Sequence, residues 1–299
     1  MSGPRARRAD GPEEVLAGLA VRHEAYGRRM PLPLYQAARL GNRRERRATP
    51  WVLDRGDGTI VATLLCHPLE LAVGGRVERA YGLGSVGTLT AHRRRGHAEA
   101  LCRAACEAGE AEGRPLGLLF ASIAPAYYER LGFHVLPAPG SRCRRLADLV
   151  ASGRAAEIVP IDPRREVERL TAAYRAFHGR TLSVHRDRAR FLESVEDTVD
   201  DAFFSVRGGE GGYVRLGTEA PETLEVVEAV LLDPADEAPV LRAVARLALD
   251  GGRKEIGGWI DPPREAGALF EPATRDPNLP MLRGGGPDPT ARLWSSDHF

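Results

Sequence analysis

The run His92-Arg93-Arg94-Arg95-Gly96-His97 follows a segment of strand character and opens a helical pattern. A helix start presents unpaired N–H groups and a partial positive charge, so phosphates bind there readily. Arg93 and Arg94 add side-chain charge, Gly96 permits close backbone approach, and Ala98 keeps the first turn small. Successive amides in such a loop can form an anion-binding concavity. Gly82, Gly84 and Gly87 fall inside the preceding strand pattern, 77–90, which implies a bulge or the close approach of another molecule. The same arginines also suit the solvated start of a surface helix.

Flanking elements must hold this loop in place. Ala98, Leu101, Cys102, Ala105 and Cys106 recur at helical spacing and form one apolar face. Gly113 and Pro115 end that helix, and the apolar run 116–122 reads as a buried strand. Residues 125–131 read as a short helix capped by Gly132, with a strand from 133 to 136. Upstream, helical patterns cover about 12–29 and 34–47, and strands 51–53 and 60–67 flank Arg55-Gly56-Asp57-Gly58, a hairpin signal. The second half reads as strand 158–161, helices 164–178 and 186–197, a meander over 202–207, 212–217 and 222–232, helix 239–249 and strand 256–260. The order strand, helices, strands, helix, strand thus occurs twice. It implies an α+β chain of mixed sheets in two domains, 11–148 and 149–299, after a flexible N-terminus over 1–10.

Composition narrows the partners. The 299 residues carry a net charge of +1, which argues against a whole-chain polyanion binder. Residues 1–145 hold 23 basic and 14 acidic side chains, and the remainder 19 and 27. A basic first half suits a phosphate-rich ligand, and opposite charges equally suit docking of the two domains. Lys254 is the one lysine in the sequence. No apolar run approaches the ~20 residues of a membrane span, and the basic N-terminus lacks the apolar segment of a signal peptide. A cytoplasmic protein without membrane association is expected. Cys66, Cys102, Cys106 and Cys143 form no C-x-x-C pair, so buried free thiols and no metal are expected.

Arg93-x-x-Gly96-x-Ala98 after a strand resembles the R/Q-x-x-G-x-G/A signature of the GCN5-related N-acetyltransferases, the GNAT superfamily. Downstream, Leu118-Leu119-Phe120-Ala121-Ser122 followed by Tyr127-Tyr128-Glu129-Arg130-Leu131-Gly132-Phe133 is similar to that family's second motif, a strand and then Y-x-x-x-G-F. The joint match covers about 77–137. Within the superfamily, Thr90-Ala91-His92-Arg93-Arg94-Arg95-Gly96 and Gly113-Arg114-Pro115-Leu116 resemble the enhanced intracellular survival (Eis) acetyltransferases, and the first domain is also similar to yeast lysine N-acetyltransferases. The resemblance implies tandem GNAT folds, the second degenerate: its equivalent loop, Leu232-Asp233-Pro234-Ala235-Asp236-Glu237, is acidic and lacks the arginine–glycine pattern.

The resemblance also implies roles. Acetyl-CoA is the co-substrate, contacted by Val86, Thr88 and Ser122, with Arg93, Arg94, Gly96 and the small Ala98 at its pyrophosphate. Tyr128, four residues before Gly132, matches the tyrosine that protonates the departing thiolate. The spacing from Ser122 leaves Tyr127 as the competing residue. Glu78 on the preceding strand is a candidate base acting through water, and His92 reads as a loop contact. In Eis-like enzymes the C-terminal carboxylate reaches the active site, so the Phe299 carboxylate is a further candidate.

Two kinds of function follow. The first is acetyl-CoA-dependent transfer to a primary amine, a small molecule or a lysine, directly within a ternary complex and without nucleic acid. The second is a non-catalytic acyl-CoA-binding or interaction module that keeps the fold. Eis-like relatives oligomerise, which makes a homo-oligomer an expectation from resemblance alone.

Overall fold

The computed structural model describes residues 3–179, 181–196, 200–273, 278–286, 288 and 290–297. Its first element corrects the expectation of a frayed N-terminus: β1 (Arg5–Arg8) pairs antiparallel with β2 (Thr49–Asp54). Arg7 bonds Glu14 at 2.6 Å, and the Arg8 guanidinium lies 5.8 Å over the Trp51 ring. The charge that made the segment look solvated is held by neighbours while its backbone joins the ladder.

Helix α1 (Gly11–Arg22) runs into a wider π-helical turn over His23–Gly27, followed by α2 (Leu32–Gly41) and α3 (Arg43–Arg47). Strands β3 (Ile60–Val73) and β4 (Arg76–Thr88) make a long hairpin. Helix α4 (His97–Ala111) then crosses to β5 (Leu116–Ala121), which is parallel to β4. After α5 (Ala126–Glu129) come β6 (Phe133–Val135), β7 (Ser141–Cys143) and α6 (Leu146–Ala151). The second half supplies β8 (Ile158–Ile161), α7 (Val167–His178), β9 (Ser183–Val184) and α8 (Arg188–Glu196). The meander β10 (Ala202–Val206), β11 (Gly212–Gly217) and β12 (Thr223–Leu231) follows. Helix α9 (Glu237–Asp250), β13 (Glu255–Gly258), β14 (Glu271–Pro272) and β15 (Leu279–Arg283) complete the described elements.

The strands form two sheets, β1-β2-β3-β4-β5-β15-β6 with β9 beside β3, and β14-β7-β13-β12-β11-β10-β8. Each has four antiparallel strands, a crossing helix, and a fifth strand parallel to the fourth. The expected boundary at 148/149 does not separate them cleanly. β7 lies before it yet pairs with β13 in the second sheet, while β15 lies far beyond it and pairs with β5 in the first. Each sheet is completed by a strand from the other half of the chain.

Packing under α4 depends on two glycines. A Cβ on Gly109 or Gly117 would sit 2.6 Å from the buried Tyr81 ring, so both faces around that ring must be bare. Gly109→Ala is expected to lower stability by about 1–3 kcal/mol through overpacking, read as a lower urea midpoint with unchanged slope. All four cysteines are buried and free. The arginine run of α3 reaches α8, where Arg43 meets Glu196 at 3.1 Å and Arg47 meets Glu193 at 2.6 Å. Part of the opposite charge of the halves is therefore spent on docking.

The second core encloses an ionic network. Arg186 holds Glu228 at 2.8 Å and Asp297 at 2.7 Å, and Arg215 holds Asp201 at 2.6 Å and Glu228 at 3.3 Å. Beside it, the Trp294 indole N–H donates to His178 Nε2 at 3.1 Å. Burial, reinforced by Arg186, pushes His178 down to about 3. A histidine whose folded value lies below its unfolded value leaves the unfolded state binding more protons. Stability therefore falls as pH drops below about 6.5 and goes on falling toward the folded value. His178→Gln is expected to flatten that part of the profile, checked by urea unfolding between pH 4 and 7.

Candidate active site

β4 and β5 run side by side only from the Ala80–Leu116 pair to the Leu83–Leu119 pair. Beyond that they part. Between the Thr63–Gly87 and Leu65–Gly84 pairs, Leu64 alone faces both Ser85 and Val86, so β4 carries a bulge. Ser85 takes a φ of +52° there. A bulge bends its strand and interrupts the ladder. A cleft of about 860 Å³ opens between the two strand edges, lined by residues 84–88 of β4 and by Phe120, Ser122 and Ile123 at the end of β5. Val86, Thr88, Arg93, Arg94, Gly96, Ala98, Ser122, Tyr127 and Tyr128 all line it.

The loop at its mouth is shaped by two left-handed residues, Arg94 with φ +61° and Gly96 with φ +78°. Such turns gather successive amides toward one side. No side chain caps α4 at Gly96, and the first intrahelical bond there runs from the Ala100 amide to the Gly96 carbonyl at 2.9 Å. The amides of the first turn are left for an anion. Arg93 Nε donates to the Thr88 carbonyl at 3.2 Å, which fixes its guanidinium at the cleft edge. Arg94 and Arg95 are exposed and make no side-chain hydrogen bond or ion pair among the described residues. Glu24 accepts from the Thr90 amide at 2.7 Å and ties the loop to the π-helical turn after α1; the Thr90 side chain first, and then this amide, lower its pKa.

Tyr127 and Tyr128 meet edge to face with ring centroids 4.9 Å apart. Tyr127 is half-buried under the Arg130 guanidinium, and its buried hydroxyl, near Glu99 and Cys102 of α4, has no hydrogen-bond partner among the described residues. Tyr128 is 7 % exposed, packs on Phe133, and has Tyr26 among its polar neighbours. Tyr26 donates its hydroxyl to the Val86 carbonyl at the bulge. Both tyrosines neighbour Cys102 of α4, and the Tyr127 hydroxyl is sealed from solvent. Burial raises both phenols above their ordinary value, so both stay protonated near neutrality. Burial likewise pushes the Cys102 and Cys106 thiols up, which makes them poor nucleophiles.

Residues 7–136 match the family model described as an acetyltransferase (GNAT) domain. The chain carries a GNAT domain. No curated protein matches the sequence. Among solved structures it is similar to a GCN5-related N-acetyltransferase from Kribbella flavida, with 19% identity and a TM-score of 0.71 over 93% of this chain and 71% of that one. It is also similar to a probable N-acyltransferase from Enterococcus faecalis V583, at 13% identity and TM-score 0.73 over 95% and 72% of the two chains. Eis1 from Mycobacterium abscessus aligns at 20% identity and TM-score 0.66 over 94% and 73%. At these identities the likeness is one of fold, and it spans both sheets: the architecture is a tandem of GNAT folds.

Within the GNAT domain, Glu78 is not brought to the cleft. It pairs with Leu71 near the start of β4, seven positions before Ser85, and does not line the cavity. At about 3.3 Å per strand residue that is roughly 23 Å away. Phe299 lies outside the described residues, and the nearest described residue, Asp297, is buried against Arg186. Other lining residues, among them Ala25, Tyr26, Glu99, Ile123 and Asn278, were not singled out individually in the sequence. Tyr26 sits in the π-helical turn, where helical periodicity fails. Asn278 comes from the segment entering β15, and its amide donates to the Ala121 carbonyl at 2.9 Å. Among the described residues no helix is long and apolar enough to cross a membrane, and no group of three or more His, Cys, Asp or Glu could hold a metal.

Proposed function

We propose that this chain is an acetyl-CoA-dependent N-acetyltransferase acting on a primary amine by direct attack within one ternary complex. The observation that carries this reading is the open edge of β4 at its bulge, set beside an arginine–glycine loop at a helix start. Arg93, Arg94 and the amides around Gly96 and Ala98 bind the diphosphate oxygens. The edge from Val86 to Thr88 offers backbone groups to the pantetheine arm, with Ser122 on the opposite wall. Tyr26 occupies the Val86 carbonyl, and the interrupted ladder at the bulge leaves amides there as donors to the charge that develops on the acyl oxygen. A neutral amine nitrogen forms the new N–C bond as the C–S bond breaks with its electron pair on sulfur. Tyr128 gives that sulfur a proton, and water takes the proton that the nitrogen loses. The acidic excess of the second half favours a cationic amine, whether a small molecule or a lysine side chain.

Calorimetry with acetyl-CoA tests the reading. The wild type is expected to bind one equivalent, and Arg93→Ala with Arg94→Ala to weaken binding about 10- to 100-fold, the scale of a lost charge-assisted hydrogen bond. An amine panel with a thiol-release assay then identifies the acceptor. A folded wild type that binds no acetyl-CoA overturns the proposal, and two equal sites refute a degenerate second fold.

A further inference from the structure

The second sheet has its own cleft at the equivalent place. The parallel β12–β13 ladder stops at the Val226–Gly258 pair. β12 continues to Leu231, while the chain after β13 leaves through Trp259 and Ile260. A cavity of about 750 Å³ opens there, closed by Phe177 of α7, Val240 of α9 and Trp294. Its size lies within the range of small-molecule sites. The two clefts share a wall, since Phe120 of the first stacks on Trp259 of the second at 5.9 Å.

The charges at the two clefts differ in sign. The loop before α9 supplies Asp233 and Asp236 where the first cleft has arginines, and Arg207 pairs with both of them. The charged groups lining the second cavity are Glu237, Asp261 and Arg292. Arg292 is engaged, 3.4 Å from Asp261 and 5.0 Å over the Phe177 ring. The Glu237 side chain makes no hydrogen bond or ion pair among the described residues. It is half-buried, and burial raises its carboxyl above the ordinary range, with Arg292, Asp261 and Arg264 the charges that reach it. An apolar cavity edged by a carboxylate that has no side-chain partner among the described residues gains most from a ligand that brings a single positive charge and an apolar body.

We infer that this second cleft is a binding site for an amphiphilic amine, with Glu237 receiving the ammonium and Phe177, Val240, Trp259 and Trp294 enclosing the apolar body. The site is separate from the proposed acetyl-transfer cleft and does not depend on its chemistry. Two of the three tryptophans line it, so tryptophan fluorescence reports occupancy together with calorimetry. The probes are n-octylamine, n-octanol and octanoate. Octylamine is expected to bind once per chain, about tenfold or more tighter than octanoate, the scale of one charge-assisted contact. Glu237→Gln is expected to remove that advantage while leaving octanol affinity unchanged. Ala229→Trp, which fills the cavity from β12, is expected to abolish binding of all three and leave acetyl-CoA binding intact. Octanoate binding as well as octylamine, octylamine binding that survives Ala229→Trp, or an unaltered preference in folded Glu237→Gln each overturns the inference.

Discussion

Tyr128→Phe is expected to lower kcat by about 10²- to 10⁴-fold, the scale of a lost general acid, with acetyl-CoA affinity nearly unchanged. The ring stays and keeps its packing on Phe133, so only the proton donor is removed. Burial keeps the phenol protonated across the neutral range, which is the state an acid needs. Loss of kcat without loss of binding would mark an interaction made in the transition state alone. Tyr127→Phe is the control. Its hydroxyl is buried and takes no part in the proposed transfer, so a much smaller effect is expected. Stopped-flow thiol release with one fixed amine measures both variants. A large loss at Tyr127 with little at Tyr128 would reverse the assignment.

The second large effect is on stability. Glu228→Gln is expected to cost about 3–5 kcal/mol, because removing one partner strands buried charge. Glu228 is fully buried and accepts from Arg186, Arg215 and Tyr213. Burial alone would raise its carboxyl, yet the two guanidinium groups outweigh that and hold it at about 2. A depressed carboxylate contributes stability above its unfolded value and loses it as pH falls toward the folded one. The variant should therefore unfold at lower urea at pH 7, and the gap to wild type should narrow below about pH 4.5. An unchanged midpoint at pH 7 would show that the network contributes nothing.

Much of the site is legible in local pattern. The bounds of β11, the apolar face of α4 and the arginine–glycine loop follow from spacing over a few residues, and the structure places that loop at the cleft. What escaped was set by distant partners or broken period. Strand β1 hid behind its arginines. Strands β7 and β9 have three and two residues, too few for alternation to register. The bulge at Ser85 and Val86 exists only relative to Leu64 across the ladder, so the glycines around it announced a disturbance without its form. Glu78 was linked to the site by lying on the same strand, but strand rise carries it away from the cleft.

The exchange of β7 and β15 bears on how the chain folds as it leaves the ribosome. Until residues 279–283 have emerged, β5 lacks its neighbour on one side, and β6 has no strand to pair with. Exposed strand edges are where nascent chains associate wrongly. The N-terminal half cannot finish its own sheet early in synthesis, and a fragment cut near residue 148 would carry β7 without its partner and lack β15 altogether. Expressed alone, such a fragment is an unfinished sheet, and the unit that can be moved intact between proteins is the pair of halves together.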